Sequence, residues 1–573
     1  MLKEELEDKH IPGNWWLWLI AILSIAIITR LYFVPWDLPP AMDGIDYFAY
    51  SLEIKNIGEL PKNWPLGNNG WPSFMGILFS IFPSEEFFDY VNYYRISNVI
   101  ISTITIIPIY LISCKFFGKY LGLLGAGLFA FEPRLIINST TIINEPIYIL
   151  IVTLIILLFF YRNTKNLIIL FGLIAIATHI RYESLILIIP ISVLFFLDFE
   201  KNFVHIKKYL FAISIFIIVL IPFLALNYFV TGQDGLSNHY LNAIIQDYDQ
   251  LIENDFSNNV YLNQKLNDEN KNFNYISNGL INTIKFLGIS LIPFFIFLIP
   301  YGIFCIFRKR EFRKNVIILL SIFMILPAIY AYMNGFNDVK YLFVLYPVFI
   351  FLSLFTIELI KDRIKKQKLF FIVVISILIV VGILTNFEQK EQNELEKEYF
   401  LVSQKVVDLA TGYNLYSPGS QYIKPAELEN RWPDGSVSTQ SGHVVKEIVL
   451  ITYDDNRTLI DYIEDSRDIE IKGMKNHPHH QFWFNDSSGT RLLDPFYYLL
   501  DGTKKETPVG LSHLIVDDRM DRPEFIQDVF HNEEKYPYLI KKFDSKDFDL
   551  EYKVKIFEID YEKFDSFLVK NQI

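Results

Sequence analysis

Apolar runs rich in Ile, Leu and Phe fill this chain up to residue 386 and constrain its fold more than any other feature. A helix needs about 20 apolar residues to cross a bilayer. Eleven runs approach that length: 14–34, 97–114, 120–138, 146–161, 167–180, 184–198, 209–230, 281–307, 315–333, 341–360 and 369–386. The fifth and sixth are short and could instead form a re-entrant pair. The sequence therefore predicts a mainly α, polytopic membrane domain over residues 1–386, with about eleven transmembrane helices.

The distribution of Lys and Arg predicts the orientation of this domain. If the N-terminus is cytoplasmic, the inner segments hold nineteen basic residues and the longer outer segments hold ten. Basic loops are retained in the cytoplasm, and an odd number of crossings then places residues 387–573 outside it. The first run lacks a small-residue cleavage site and is expected to be a permanent anchor. We expect a multi-pass plasma-membrane protein embedded in the lipid bilayer.

Charge and cysteine content exclude other classes. The net charge is −12, and no basic stripe or Gly-rich phosphate loop is present, which argues against a nucleic-acid partner. Cys114 and Cys305 lie in or at the ends of apolar runs, so the outer domain is expected to lack disulfides.

The outer loop at residues 35–96 is long and contains helical patterns. Apolar residues at 45, 48, 49 and 52 have helical spacing, which is typical of a helix lying in the membrane interface. Residues 71–82 are apolar but too short to span and are expected to do the same. Asp43 and Asp46 stand three apart at the start of the first interfacial helix, so both carboxylates can point the same way. Simple helix capping is the alternative interpretation of these two residues.

Other ionisable residues are expected at the same membrane level. They are Glu145, Arg181, Glu183 and Lys340, from three further loops. Charges at the ends of membrane helices are costly unless paired, solvated or functional. The convergence of acids and bases from four loops indicates a site for an anionic, lipid-borne substrate.

Ordered local patterns across residues 14–386 resemble the GT-C superfamily of membrane glycosyltransferases, which includes protein O-mannosyltransferases and the aminoarabinose transferase of lipid A. The patterns are Arg30-Leu-Tyr, Asp43 with a Tyr-rich helix, Tyr94-Arg95-Ile-Ser, Phe131-Glu-Pro-Arg, Asn144-Glu145-Pro146, Thr178-His-Ile-Arg181-Tyr-Glu183 and Lys340-Tyr341. The resemblance implies a sugar donor linked to a polyprenyl phosphate and an acceptor hydroxyl on a protein or a glycan. Inversion at the anomeric carbon would follow from a single in-line displacement.

The resemblance also implies residue roles. Asp43 matches the acidic residue of the first outer loop and would be the general base, Asp46 is the neighbouring catalytic candidate, and Glu145 matches the acidic position of the second outer loop. Four residues would bind the donor phosphate: Arg181, Lys340, Tyr341 and Arg95. Two positions depart from the family pattern, because Tyr182 replaces a proline and Lys340 replaces an arginine that could grip a phosphate bidentately. The Trp-Trp-Asp-Tyr-Gly signature of oligosaccharyltransferases is absent, which counts against en bloc transfer to asparagine.

Polar sequence after residue 386 predicts a connector at 387–399 and an extracytoplasmic α/β domain at 400–573. The resemblance to relatives that carry a similar soluble domain implies that this domain holds or selects the acceptor. Predicted strands lie at 414–417, 447–452, 514–517 and 552–557, and predicted helices at 456–466 and 523–533. The histidines at 477, 479 and 480 do not have zinc-ligand spacing, so no metal site is assigned, although a divalent cation stays an open alternative as cofactor. Asn456 and Asn485 begin glycosylation triplets on the outer side. The loop at 231–279 is long enough to act as a lid.

Two other functions fit a polytopic chain. A transporter or lipid flippase predicts polar groups or broken helices at the bilayer midplane, often with an internal repeat. These helix interiors are instead almost purely apolar, with polar residues collected at one face. An inactive scaffold that presents the C-terminal domain is the third alternative.

Overall fold

The computed structural model describes most of the apolar region and the end of the chain. The described residues are 15–40, 43–62, 66–84, 86–161, 164–198, 203–237, 271–308, 312–361, 363–364, 366–409, 460, 513–518 and 524–571. They fall into two compact units. The first comprises Met1–Val34, Tyr50–Pro83 and Asn92–Phe387, and the second comprises Pro35–Ala49, Ser84–Val91 and Glu388–Ile573.

Helices account for nearly all the secondary structure of the described residues before 410. In chain order they are α1 (Trp15–Phe33), α2 (Asp43–Ile57), α3 (Gly70–Ile81), α4 (Phe87–Ala130), α5 (Pro133–Thr140), α6 (Glu145–Phe160), α7 (Thr164–Ile180), α8 (Ile188–Asp198), α9 (Phe203–Thr231), α10 (Lys271–Leu291), α11 (Leu298–Arg308), α12 (Phe312–Met333), α13 (Tyr346–Lys361), α14 (Gln367–Leu384) and α15 (Phe387–Leu409). Short 3₁₀ turns at Tyr182–Leu187 and Val339–Leu345 lead into α8 and α13.

Six helices within the described residues are long and apolar enough to cross a membrane. They are Trp15–Phe33, Phe88–Ala130, Ile206–Thr231, Val316–Met333, Val339–Lys361 and Lys368–Glu398. Only 17% of the apolar window of Ile206–Thr231 is buried, against 83% for Val339–Lys361. The first therefore presents apolar side chains outward, as a lipid-facing helix does, and the second lies in the interior of the unit. The mainly α, multi-pass class is confirmed, while the count of eleven crossings stays a prediction.

The predicted crossing at 97–114 and the first part of the one predicted at 120–138 meet at a sharp bend inside α4; the latter prediction extends too far, because α4 ends at Ala130 and α5 begins at Pro133. Gly118 has φ +80° and ψ 170°, a left-handed conformation that favours glycine. A Cβ added at Gly122 would lie only 2.9 Å from the Cβ of Cys114, so the two halves of α4 pack closely beside each other. The two halves can approach this closely because Gly122 has no side chain.

The predicted crossing at 281–307 differs from the structure, because it is divided between two helices. Helix α10 ends at Leu291 and α11 begins at Leu298. Pro293 lies between them and has no backbone N–H to donate to a helical hydrogen bond, so it favours a break there.

Arg30 connects α1 to both halves of α4. Its side chain is fully buried. The guanidinium donates hydrogen bonds to the carbonyl of Ala130 at 2.9 Å and to Oγ of Ser102 at 3.2 Å, and to the carbonyl of Ala26 at 3.2 Å within its own helix. A buried cation is tolerated when such acceptors surround it, so Arg30 acts here as a packing residue.

In the second unit, α15 is one continuous helix through the predicted connector at 387–399. Lys397 forms an ion pair with Asp37 at 2.8 Å. The carboxylate of Glu398 accepts hydrogen bonds from the backbone N–H groups of Glu551 and Tyr552, at 3.0 and 2.7 Å. The charged segment is therefore an ordered helix with defined contacts to its own unit.

A small antiparallel sheet with two helices ends the chain. Strands β1 (His513–Asp517), β2 (Leu539–Asp544) and β3 (Val554–Ile559) are ordered β1-β3-β2, and helices α16 (Glu524–His531) and α17 (Tyr561–Asn571) complete the fold. Val516, Val529, Tyr538, Phe557 and Phe564 form its core. The α/β character predicted for this domain is confirmed for its described residues, 513–518 and 524–571. The strands predicted at 414–417 and 447–452 lie outside the described residues, as does the helix at 456–466 apart from residue 460.

Candidate active site

The first unit contains a pocket of about 460 Å³ where α6 begins. Four of the predicted site residues line it together, namely Glu145, Arg181, Lys340 and Tyr341, and Glu183 lies beside them. They come from α6, from the turn after α7 and from the turn before α13. Apolar side chains from α6, from α12 and from the two 3₁₀ turns complete the wall, so the charges lie in a largely apolar cleft.

Glu145 and Arg181 form the central contact of this pocket. Oε1 of Glu145 accepts a hydrogen bond from Nη1 of Arg181 at 2.6 Å, and Nη2 of Arg181 lies 3.6 Å from Oε1 of Glu183. The side chains of Glu145 and Arg181 are 7% and 14% exposed. Charges this far from solvent are stable only as a pair. Glu145 also lies in the first turn of α6, where the helix dipole favours a carboxylate.

Two aromatic rings flank the guanidinium of Arg181. Its Cζ lies 5.7 Å from the ring centroid of Tyr148 and 5.8 Å from that of Tyr341. Rings at this distance attract a cation through their π electrons. Together with the carboxylate of Glu145, they fix the plane of the guanidinium.

Lys340 is held less firmly than Arg181. Its backbone N–H donates to Oδ1 of Asp338 at 2.9 Å, which caps the turn Val339–Leu345. Its ammonium lies 3.5 Å from Oδ2 of Asp338 and 5.8 Å from the ring centroid of Tyr341. The Lys340 side chain is 23% exposed, so it carries a positive charge at the mouth of the pocket.

Asn68 connects the two chain segments that carry the central pair. Its backbone carbonyl accepts a hydrogen bond from Nδ2 of Asn144 at 3.0 Å, and its Oδ1 accepts one from the backbone N–H of Tyr182 at 3.0 Å. Asn144 precedes Glu145 and Tyr182 follows Arg181. Asn68 adopts φ +57°, a conformation that Asn tolerates better than most residues. The turn at residue 68 therefore holds Glu145 and Arg181 at contact distance.

A second buried carboxylate, Glu132, anchors the turn that bears Lys340. It caps α5 by accepting hydrogen bonds from the backbone N–H groups of Arg134 and Leu135, at 2.6 and 3.3 Å. Its Oε1 accepts a hydrogen bond from the hydroxyl of Tyr346 at 3.2 Å. Tyr346 begins α13 directly after the Val339–Leu345 turn. Glu132 is thus a structural cap and a packing link rather than a pocket residue.

Asp43 and Asp46 lie in the second unit, in the first turn of α2. Asp43 is exposed and Asp46 is half-buried. Burial, together with the negative charge of Asp43, raises the pKa of Asp46 to about 6. The two carboxylates therefore interact electrostatically, as their spacing predicts.

Arg95, the remaining predicted donor-binding residue, is buried in α4 and is not among the residues that line the pocket. Within the described part of the chain, no group of three or more His, Cys, Asp or Glu residues is placed to hold a metal ion. The histidines at 477–480 and most of the predicted lid, residues 238–270, lie outside the described residues.

Sequence reasoning missed three residues that support the pocket: Asn68, Tyr148 and Glu132. The sequence Gly67-Asn68-Asn69-Gly70 is a strong turn signal, and Glu132 followed by a proline is typical of a helix N-terminus. Both signals indicate local structure only. Their partners lie 76, 114 and 214 positions away along the chain, a separation that no local pattern encodes.

Residues 74–226 match the family described as dolichyl-phosphate-mannose-protein mannosyltransferase. This match confirms, over that segment, the resemblance to GT-C glycosyltransferases predicted from the sequence. Glu145 and Arg181 lie inside it.

Several solved structures are similar to the chain at low identity. The oligosaccharyltransferase AglB of Archaeoglobus fulgidus, solved with an inhibitory peptide and dolichol phosphate, has 11% identity and a TM-score of 0.47, with 95% of this chain and 88% of that chain covered. ArnT of Cupriavidus metallidurans, solved with undecaprenyl phosphate, has 10% identity and a TM-score of 0.46, with coverages of 78% and 82%. An Archaeoglobus fulgidus oligosaccharyltransferase solved with zinc and sulfate has 13% identity and a TM-score of 0.43. That match includes 63% of this chain and only about half, 52%, of the other chain. No curated protein sequence matches the chain.

Proposed function

We propose that this protein is a membrane glycosyltransferase that moves a single sugar from a polyprenyl phosphate to an acceptor hydroxyl outside the cytoplasm. The observation that carries the proposal is the pocket that joins Glu145, Arg181, Lys340 and Tyr341. Arg181 and Lys340 come from separate turns and converge, beside Glu145 and Glu183, in a cleft whose remaining lining is mostly apolar. A lipid-linked phosphate needs this combination, because its tail stays in the bilayer while its charge requires cationic partners.

The matched family supports the same substrate class. Its name specifies a mannose donor linked to dolichyl phosphate, and the solved structures of AglB and ArnT contain dolichol phosphate and undecaprenyl phosphate. The proposal for this chain is limited to the polyprenyl phosphate class of donor, with an acceptor hydroxyl on a protein or a glycan.

In the proposed mechanism, Arg181 and Lys340 bind the donor phosphate and stabilise the charge that grows on it as the glycosidic bond breaks. Glu145 orients Arg181 through their hydrogen bond of 2.6 Å. Asp43, by its match to the acidic residue of the family's first outer loop, accepts the proton of the acceptor hydroxyl as that oxygen attacks the anomeric carbon. One displacement inverts that carbon, and the polyprenyl phosphate leaves.

Replacement of Asp43 by Asn tests the proposal. Asn retains the size and the capping oxygen of Asp but cannot accept the proton, and a general base typically contributes 10² to 10⁴ in rate. We therefore expect the purified Asp43→Asn protein to lose sugar transfer by at least about 100-fold while keeping its unfolding temperature. The measurement is transfer of radiolabelled sugar from a polyprenyl phosphate donor that the wild type uses.

Asp46→Asn is the matched control, because it makes the same change one helical turn along the same helix. A near wild-type rate in Asp43→Asn would falsify the assignment of Asp43 as the base. Loss of transfer in Asp46→Asn alone would move the role to Asp46. The enzyme proposal itself would be contradicted if the wild-type protein neither hydrolysed nor transferred the sugar of any donor in a panel of polyprenyl phosphate sugars.

A further inference from the structure

A second pocket lies at the end of the first unit away from the candidate active site. Helix α6 connects the two ends, because it begins at Glu145 in the active-site pocket and finishes at Phe160. The carbonyl of Phe160 accepts a hydrogen bond from Nζ of Lys115 at 2.6 Å. Lys119 follows one helical turn later, just past the bend at Gly118, and lines the second pocket.

This pocket has a volume of about 380 Å³ and lies between α1, the second half of α4 and α14. Two lysines, four aromatic residues and two aliphatic side chains line it: Lys119, Lys368, Trp15, Trp18, Tyr120, Phe371, Leu123 and Ile372. Its volume falls within the range of roughly 300 to 1,000 Å³ that is typical of small-molecule sites.

The aromatic walls of the pocket are fixed by their own packing. Trp15 stacks on Tyr110 with ring centroids 5.4 Å apart. Trp18 and Tyr120 both meet the ring of Phe371 edge-on, each at 6.1 Å. Phe371 is 5% exposed, whereas Trp18 is 39% exposed. The floor is therefore part of the protein interior, and the rim opens to the surroundings.

The charges at the pocket have one sign. Nζ of Lys119 lies 5.8 Å from the ring centroid of Trp15. In the described part of the chain, neither Lys119 nor Lys368 has a carboxylate within ion-pair distance. Arg363 and Lys366 lie on the short connection between α13 and α14, and Lys368 lies in the first turn of α14. Each of these basic side chains therefore attracts an anion that approaches the pocket.

We propose that this pocket binds an anionic phospholipid of the leaflet opposite the candidate active site. The phosphate would lie between the ammonium groups of Lys119 and Lys368, and an acyl chain would follow Leu123, Phe371 and Ile372. Trp and Tyr side chains prefer the headgroup level of a bilayer, and basic pockets between membrane helices suit acidic headgroups. A water-soluble phosphate would leave the apolar wall unused, and a zwitterionic lipid would gain less from two lysines.

Native mass spectrometry of the full-length protein in detergent tests the proposal. The probes are phosphatidylglycerol and phosphatidylcholine with identical acyl chains, and sn-glycerol 3-phosphate as a headgroup without chains. We expect the wild type to retain phosphatidylglycerol in preference to phosphatidylcholine. Each lysine near a membrane surface contributes about fivefold in affinity for an acidic lipid, so Lys119→Gln combined with Lys368→Gln should reduce that preference by about 25-fold.

Two further double variants make the result specific. Lys208→Gln with Lys361→Gln removes the same charge from helix ends outside the pocket and should leave the preference unchanged. Lys119→Arg with Lys368→Arg keeps both charges and should retain the lipid. The proposal is overturned if the wild type shows no preference, if the pocket and control Gln variants behave alike, if the Arg variant loses the lipid, or if glycerol phosphate displaces the lipid as well as phosphatidylglycerol does.

Discussion

At the scale of single residues, Arg181 and Lys340 differ in how firmly the protein holds them. A carboxylate fixes the guanidinium of Arg181 at 2.6 Å and two tyrosine rings flank it. The ammonium of Lys340 has a longer contact, 3.5 Å, to an aspartate that is 48% exposed. A group that is already oriented loses less freedom when it binds a ligand. Arg181 should therefore contribute more to donor affinity than Lys340.

Arg181→Gln and Lys340→Gln test this difference. Each should weaken donor binding by roughly 1.5 to 3 kcal/mol, the scale of a charge-assisted hydrogen bond, and Arg181→Gln should have the larger effect. The measurement is the dissociation constant of a non-transferable polyprenyl phosphate. Lys62→Gln, which alters an exposed lysine paired with Glu59, is the control. Unchanged binding in both pocket variants would remove the two residues from the donor site.

The raised pKa of Asp46 predicts how the stability of the folded protein depends on pH. Its pKa is raised from 3.8 to about 6 in the folded protein, so between these values the folded state binds more protons than the unfolded state. Stability then falls as pH rises through this window and levels off above it. Asp46→Asn should remove this fall and raise stability at neutral pH by on the order of 1 to 2 kcal/mol, allowing for partial exposure.

Thermal unfolding of the purified protein from pH 4 to pH 8 measures the effect of Asp46→Asn. The variant should show a flatter curve than the wild type in the lower half of that range. Parallel curves for the two proteins would show that Asp46 does not have the raised pKa. Glu59→Gln, at an exposed position in the same outer loop, should follow the wild type.

At the scale of elements, the turn at Asn68 positions the central pair of the pocket. It holds the N-terminus of α6 through Asn144 and the turn after α7 through Tyr182. Asn68→Gly keeps the left-handed backbone but removes the acceptor for the N–H of Tyr182, and an unsatisfied buried donor costs about 1 to 3 kcal/mol. We expect Asn68→Gly to lower the unfolding temperature and to raise KM for the donor more than it lowers kcat.

Asn68→Asp separates positioning from general destabilisation. Asp also accepts a hydrogen bond and tolerates a positive φ, so it should restore the donor KM of Asn68→Gly toward the wild-type value. A Gly variant with the wild-type KM would contradict the positioning role of Asn68. Equal KM values in the Gly and Asp variants would also count against it.

Local patterns predicted most helices of the membrane domain and two of the three described strands of the C-terminal one, β1 and β3 but not β2. The apolar run at 14–34 became α1, and Glu145-Pro146 became the start of α6. The predicted connector at 387–399 instead continues as a helix to Leu409, because its Glu, Lys and Gln residues are good helix formers. Glu145 and Arg181 could be grouped from sequence by membrane level, but their direct contact depends on the distant Asn68, which a local pattern does not reveal.

At the scale of the whole molecule, the two ends of the membrane domain differ in chemistry. One end combines acidic and basic side chains in the pocket around Glu145. The other end carries Lys115, Lys119 and Lys368. This asymmetry within the first unit agrees with the basic loops that predict a cytoplasmic face. The proposed reaction requires that the pocket around Glu145 open on the outer side, so the orientation of the chain is the condition on which the function depends.

Single cysteines in a protein whose Cys114 and Cys305 are replaced by alanine test that orientation. Ser436→Cys lies in the predicted extracytoplasmic domain, and Asn315→Cys lies near the start of α12, at the predicted inner face. A thiol reagent that cannot cross membranes should label position 436 in intact cells and should label position 315 only after the membrane is permeabilised. Basic residues are retained in the cytoplasm during insertion. The nineteen-to-ten distribution of Lys and Arg therefore predicts that position 315 is cytoplasmic and position 436 is not. Labelling of position 315 alone in intact cells would invert the topology, and the pocket around Glu145 would then face the cytoplasm, where the proposed transfer does not occur.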